Sequence, residues 1–396
     1  MIGPEDYAFM TRALRLAERG LFTTDPNPRV GCLLVKDGEI IGEGWHRRAG
    51  GPHAERIALG AAGARARGAT LYVTLEPCCH HGRTPPCSEA LLEAGVARVV
   101  AAMQDPNPLM AGRGLERLRG RSVEVAVGVL EEQARSMNPG FLKRMTQGLP
   151  YVRCKLAASL DGRTAMAGGE SKWITSEAAR RDVQYLRARS SAVVTGIGTL
   201  LTDDPALNVR LTPDELPGTE PGEPLRQPLR VIIDSRLRAP AQARTIALPG
   251  NTLIACVDRD TARAARLETA GARVYACPAS GGRVDLESLF RYLAEQEINE
   301  VLIEAGPILS GAALQAGLVD ELIFYLGPHL MGDAARGLFR LPGLARMRER
   351  IGLEIRDLRM VGPDLRIRAV VGRQKTEDGR AQASTERQAR PPSSMT

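Results

Sequence analysis

The sequence predicts an α/β protein made of two α/β domains in tandem. Its 396 residues, 43% of them hydrophobic, favour two cores over one. Strand-like and helix-like runs alternate through both halves. The alternation breaks at NPGFLKRMTQGLP, residues 138–150, and a fresh run begins at YVRCKLAASLDGRTA. These observations place a boundary at Pro150, with domains over residues 1–149 and 150–373. The polar stretch 374–396, almost without large apolar residues, is expected to be a disordered tail.

In the first domain EDYAFMTRALRLAERG carries apolar residues at helical spacing and stops at Gly20. VGCLLVKDGEIIGEGWH reads as two strands joined at Lys36-Asp37-Gly38, because Asp-Gly supplies a hairpin turn. After Pro52, HAERIALGAAGARARG is a helix pattern and ATLYVTLEP a β-rich strand. Cys87 to Gly95 is a short helix closed by glycine, and VARVVAAM a further strand. This alternation gives a three-layer domain.

In the second domain EAARRDVQYLRARS is a helix behind Ser176, and SAVVTG, LRVIID, NTLIACV and EVLIEA are strands. The helix DLESLFRYLAEQ precedes the last of them. LEIRDLRMV and LRIRAVV flank a Gly-Pro-Asp turn as a closing antiparallel pair. A mostly parallel sheet with an antiparallel edge is expected.

The formal charge is +7. Arginine is spread along the whole length and aromatics reach only 4%, poor material for stacking single-stranded bases. No nucleic-acid partner is expected, and the charge suits a phosphorylated small molecule. No run approaches the roughly 18 apolar residues of a membrane helix. The start MIGPEDYAF lacks a basic region followed by an apolar one. Seven scattered cysteines are unlike the framework of a small secreted domain. A cytoplasmic protein without a membrane partner is therefore expected, its cysteine cluster suited to metal.

That cluster is LEPCCHHGRTPPC, residues 75–87, and Pro-His53-Ala-Glu55 opens a helix one strand before it. A Zn²⁺ held by one histidine and two thiolates keeps a fourth position for water and lowers its pKa towards about 7. A nearby glutamate that is not a ligand can carry the water's proton to a leaving amine, its role in the H-x-E…P-C-x-x-C signature. Glu55 is the candidate shuttle. Here eight residues separate Cys78 from Cys87, and Cys79 follows Cys78 directly. Consecutive side chains diverge, so one of Cys78 and Cys79 is a bystander; Cys78, after Pro77 as in the signature, is the preferred ligand. Cys87 starts a helix, where the dipole favours a thiolate. A structural site completed by His80 or His81 is the alternative, but it gives His-x-Glu no purpose. Cys32, Cys154, Cys256 and Cys277 read as buried apolar thiols.

In the second half, Thr195-Gly196-Ile-Gly198-Thr199 and Glu304-Ala-Gly306-Pro-Ile-Leu-Ser-Gly311 each follow a strand. Glycine there lets backbone approach a phosphate at a helix N-terminus. Two such turns point to a dinucleotide, although neither is a full G-x-G-x-x-G.

Longer motifs make a resemblance specific. Asp25-Pro-Asn27-Pro-Arg-Val-Gly31, Gly44-Trp-His46 through His53-Ala-Glu55, Glu76-Pro-Cys78 through Arg83-Thr-Pro-Pro-Cys87, and Asp105-Pro-Asn107 through Arg113-Gly look like the riboflavin-biosynthesis bifunctional deaminase-reductase family. Serine is usual in that family where Cys79 stands. The resemblance implies a cytidine-deaminase-like three-layer α/β/α domain followed by a dihydrofolate-reductase-like α/β domain. By position it implies His53, Cys78 and Cys87 as zinc ligands and Glu55 as proton shuttle. Asn27, His46, His80 and Arg83 would meet the substrate.

Lys155-Leu-Ala157 through Thr164, Ser171-Lys-Trp173-Ile-Thr175, Thr199 through Asp203-Asp-Pro, and Asp234-Ser235-Arg236 extend the match. The resemblance implies that Ala157, Trp173, Thr199, Asp203, Ser235 and the Gly306 loop bind NADPH. It likewise implies that Ser171, Arg187, Leu207, Arg210 and Glu304 bind substrate. Ser235 with Arg236 is the assignment for the cofactor's 2′-phosphate, and Arg187 with Arg210 for the substrate phosphate. The reactions implied are deamination of 2,5-diamino-6-(5-phosphoribosylamino)pyrimidin-4-one and NADPH-dependent reduction of the ribosyl to a ribityl chain. A homo-oligomer is expected.

Overall fold

The computed structural model describes residues 2–80, 86–108, 110–220 and 222–372. Helix α1 (Pro4–Glu18) carries its proline in the first turn, where a missing N–H costs nothing. Strands β1 (Gly31–Lys36) and β2 (Glu39–Trp45) pair antiparallel. Asp37 and Gly38 between them both take positive φ, 51° and 80°, the backbone a tight hairpin needs. The chain continues through α2 (Ala54–Ala62), β3 (Thr70–Val73), α3 (Cys87–Glu93), β4 (Arg98–Ala101), α4 (Arg113–Arg119), β5 (Glu124–Val127) and α5 (Glu131–Met137). The sheet order is β2-β1-β3-β4-β5.

One face of this sheet buries Leu34 and Leu71 with Ala58, Leu91 and Leu118 of α2, α3 and α4. The other buries Leu33, Tyr72 and Val100 with Met10 of α1 and Ala134 of α5. The expected three layers are present. Two close approaches hold the site-bearing segments in place. A Cβ on Gly44 would stand 2.2 Å from the Ala54 carbonyl oxygen, and one on Gly114 2.1 Å from that of Pro77. The first lets the start of α2 lie on β2, and the second lets α4 lie on the cysteine loop.

Residues 138–150, expected as a break, form helix α6 (Pro139–Gln147). Proline at the first helical position and Gly148 in the left-handed conformation beyond the last bound a helix instead of interrupting one.

The second half comprises β6 (Tyr151–Ser159), β7 (Arg163–Ala165), α7 (Glu177–Arg189), β8 (Ala192–Gly196), α8 (Ile197–Asp203), β9 (Leu229–Ile233), α9 (Arg244–Ala247), β10 (Thr252–Cys256), α10 (Thr261–Thr269), β11 (Ala272–Ala276), β12 (Ala279–Ser280), β13 (Arg283–Val284), α11 (Leu286–Glu295), β14 (Glu300–Glu304), α12 (Pro307–Gln315), β15 (Glu321–Gly327), β16 (Arg336–Gly337), β17 (Leu353–Val361) and β18 (Asp364–Val371). Its main sheet has the order β11-β10-β9-β8-β14-β6-β15-β18-β17. Pairing is parallel from β11 to β15 and antiparallel at β18 and β17, so the expected antiparallel edge is there. In such sheets the carboxyl ends of the parallel strands open onto the ligand crevice.

The two halves meet through buried charge. Glu300, at the start of β14, faces Arg29 at 2.9 Å, Arg153 at 2.5 Å and Arg189 at 3.3 Å. Burial opposes ionisation of Glu300, yet these three guanidinium groups hold its carboxyl well below the usual range. Phe22 of the first half also packs with Val209, Leu211 and Leu216 of the second.

Candidate active sites

His53 is the residue just before α2, Cys78 follows β3 by a short turn, and Cys87 is the first residue of α3. Their ligand atoms all lie within 4.8 Å of one another, the one cluster of this kind among the described residues. His53 Nδ1 is 3.6 Å from Cys78 Sγ and 3.3 Å from Cys87 Sγ. A tetrahedral zinc with ordinary bond lengths separates its nitrogen and sulfur ligands by about 3.5 Å, so the set fits the ion as it stands. Hydrogen bonding from the Cys87 thiol lowers the Cys78 pKa, and His53 beside it adds to the effect, which favours the thiolate that a metal requires. Cys79 is half-buried and outside the cluster. Cys78→Ser is expected to lose zinc and deamination together, while Cys79→Ser keeps both within about twofold; metal analysis beside a deamination assay checks the pair.

Glu55 sits in the first turn of α2 and is only 4% exposed. Burial raises its pKa, partly offset by His53. His46, 3% exposed, is lowered by burial and is therefore neutral. Its Nδ1 lies 3.0 Å from the Pro52 carbonyl oxygen and its Nε2 3.0 Å from Asn27 Nδ2. The ring stands edge-on to His53, centroids 5.5 Å apart. Structure thus brings Asn27, His46, His53 and Glu55 together. His80 is exposed and outside the ligand cluster, and Arg83 and the 374–396 tail lie outside the described residues.

Sequence reasoning missed Glu76. Its buried carboxylate accepts backbone N–H groups of Asp105, Gly112 and Gly114 at 3.0, 2.9 and 2.8 Å, tying the cysteine loop to the Asp-Pro-Asn segment. The signal was its place directly before Pro77-Cys78. Asp105 is pushed up to about 6, mainly by burial.

A cavity of about 1550 Å³ opens at the carboxyl ends of β6, β8, β9 and β14. Ala157, Trp173, Thr199, Asp203, Ser235, Gly306, Ser171, Leu207, Arg210, Glu304 and Arg187 all line it. Trp173 is 72% exposed with Arg180 stacked 4.4 Å over its ring, so it is no core residue. Arg187 is buried at the cavity wall, and its guanidinium donates to both Glu304 oxygens at 2.6 and 3.0 Å and to the Asn208 carbonyl, which leaves one N–H on each terminal nitrogen. Burial works against the Glu304 carboxylate, but Arg187 keeps its pKa below the usual range. Arg210 remains exposed on the cavity wall. Lys155, missed as a site residue, also lines the cavity, and burial lowers its pKa.

Residues 4–103 match the cytidine and deoxycytidylate deaminase zinc-binding region, and residues 150–367 match the RibD C-terminal domain. The riboflavin biosynthesis protein RibD of Escherichia coli K12 is 54% identical over 91% of this chain and 98% of its own length. That of Haemophilus influenzae is 49% identical over 92% and 96%. Among solved structures, Acinetobacter baumannii RibD superposes with a TM-score of 0.86 at 46% identity, covering 93% of this chain and 99% of its own. A Thermotoga maritima diaminohydroxyphosphoribosylaminopyrimidine deaminase/5-amino-6-(5-phosphoribosylamino)uracil reductase does so at 0.80 and 33% identity, over 93% and 99%. A His53, Cys78 and Cys87 triad able to hold a metal beside a buried glutamate, and a strand-end cavity in a second α/β half, agree with both family matches: the chain belongs to the RibD family, the bifunctional deaminase-reductases of riboflavin biosynthesis.

Proposed function

We propose that residues 1–149 deaminate 2,5-diamino-6-(5-phosphoribosylamino)pyrimidin-4-one and residues 150–373 reduce the product's ribosyl group with NADPH. The observation that carries the first half is the His53, Cys78 and Cys87 triad with Glu55 buried two residues after His53, in the first turn of α2. These three residues would hold a zinc ion, which would supply Lewis acidity to an attacking water. Glu55 takes a proton from that water on a carboxylate oxygen and returns it to the departing amine. Asn27 and neutral His46 orient the pyrimidine.

In the second half, Ala157, Trp173, Thr199, Asp203, Ser235 and Gly306 hold the cofactor, which supplies the hydride. Ser235 and Arg236 lie at the end of β9, the strand following β8 and its glycine turn, where a nucleotide's 2′-substituent is read in sheets of this kind. Their neutral and positive character supports NADPH over NADH. Ser171, Leu207 and the Arg187–Glu304 pair shape the substrate end, and Arg210 takes the phosphate. Arg210→Ala is expected to raise the reductase KM about tenfold or more, the worth of a charge-assisted hydrogen bond, and to spare deamination. An equal loss in both steady-state assays would contradict separate sites.

The same proposal includes a cytoplasmic setting and a homo-oligomer. All seven cysteines are free, and no described helix is long and apolar enough to cross a membrane. A bulge between Ile355 and Asp357 keeps Leu353, Ile355, Leu358 and Met360 opposite alternate residues of β18, and all four are exposed. Such an apolar row is suited to a second copy.

Mass spectrometry of the diamino substrate, incubated with zinc-loaded enzyme with and without NADPH, tests the whole reading. Deaminated product without NADPH and ribityl product only with it are expected. No change in either tube would overturn it.

A further inference from the structure

We infer that the deaminase site is completed by the reductase half, with Asn299, supported by Ser191 and Arg226, acting as a positioning residue for Asn27. The inference rests on the reading of Asn27 and His46 as substrate-facing residues.

The His46 ring fixes what Asn27 must do. A carbonyl can only accept, so Nδ1 facing Pro52 carries the ring proton, and Nε2 must accept from the Asn27 amide. Only one of the two orientations of the Asn27 side chain satisfies that bond. The backbone that presents Asn27 therefore has to be held at a defined height beside the triad.

What holds it comes from across the domain boundary. Asp25 Oδ1 accepts from Ser191 Oγ at 2.8 Å and from Asn299 Nδ2 at 3.1 Å. Asp25 Oδ2 accepts from Arg226 Nη1 at 3.3 Å. The Pro26 carbonyl, part of the peptide unit leading into Asn27, accepts from Asn299 Nδ2 at 2.7 Å. Asn299 is itself fixed: it is 5% exposed, its Oδ1 accepts from Arg144 of α6 at 2.7 Å, and its N–H donates to Ser191 Oγ at 3.1 Å. Within its own half, the Asp25–Asn27 turn closes through the Asn27 N–H to the Thr24 carbonyl at 2.8 Å. The side chain of Asp25 is spoken for by the reductase half on both oxygens.

Asn299 precedes β14, and the cavity-lining Glu304 ends it. A change at 299 is thus remote from the reductase chemistry and, through two hydrogen-bonded links, close to the deaminase chemistry.

The test uses the full-length, zinc-loaded enzyme. Deamination is followed without cofactor, and reduction is followed on the already deaminated intermediate. Asn299→Ala is expected to lower deaminase kcat/KM about tenfold, the value of one buried hydrogen bond, with zinc retained and reduction within twofold. Arg226→Gln, a milder change, is expected to give a loss of a few fold in the same activity, and it serves if the first variant fails to fold. A merely structural contact is separated by a double-mutant cycle: Asn27→Ala with Asn299→Ala is expected to be no worse than Asn27→Ala alone. Losses that multiply, losses equal in both activities, or no loss in either interface variant would overturn the inference. If Asn27→Ala alone leaves deamination intact, the substrate-facing reading of Asn27 falls first, and the positioning role falls with it.

Discussion

Deamination by the Glu55→Gln enzyme is expected to fall at least about 10³-fold, the middle of the range for a positioned proton carrier, with zinc still bound. Glutamine keeps the shape and one acceptor oxygen but cannot take a proton. Glu55 lies in the first turn of α2, and the triad is complete without it, so metal content should not change. The pH profile carries a second signature. Burial raises the Glu55 pKa, and the group must be ionised to accept the proton from water. Activity therefore falls as pH drops through the pKa of Glu55 in the zinc-loaded site, and that acid limb disappears in Glu55→Gln. Loss of zinc in this variant would recast Glu55 as a ligand.

The largest effect on stability is expected at Glu300→Gln. Its carboxylate is 2% exposed and faces Arg29, Arg153 and Arg189. Removing the charge leaves the buried Arg29 without its carboxylate and Arg153 with Glu321 alone, and breaking a buried ion pair costs about 3–5 kcal/mol. The sign with pH follows from the depressed pKa of Glu300 in the folded protein. Its stabilisation is fully present above the unfolded carboxyl pKa of about 4.3 and is lost as pH falls from there towards the folded value. Urea unfolding of both proteins should show the full gap at pH 7 and a narrower one in acid. Equal midpoints at pH 7 would mean that the cluster is neutral.

How much of this was legible in the sequence depends on the range of the interactions. The zinc triad was readable because His53 and Cys87 each stand at a helix start and Cys78 follows a strand end, so local patterns locate all three. Strands such as β8, β10 and β14 announce themselves as apolar runs. The cavity residues were reached through the family resemblance; no spacing marks Leu207 or Ser235. Helix α6 was read as a break because Pro139 and Gly148 look alike in a string whether they bound a helix or a loop. The Arg187–Glu304 pair was not legible, since nothing near Arg187 in sequence reveals Glu304. Asn299 and Glu300 carried no signal at all, and Asp25 and Arg29 stood out only as members of a family motif that says nothing of their partners, which lie in the other half.

The ion pair between Arg29 and Glu300 spans 271 positions of the chain, and this separation sets an order of events during synthesis. At about 5–20 residues per second, Arg29 leaves the ribosome roughly 15–50 s before its partner carboxylate exists. Asp25 waits as long for Asn299. The candidate zinc ligands, all within residues 53–87, are available early in that interval. The half of the molecule that is made first is therefore not finished until most of the second has been made, and its final fastening coincides with the arrival of β14 in the other sheet.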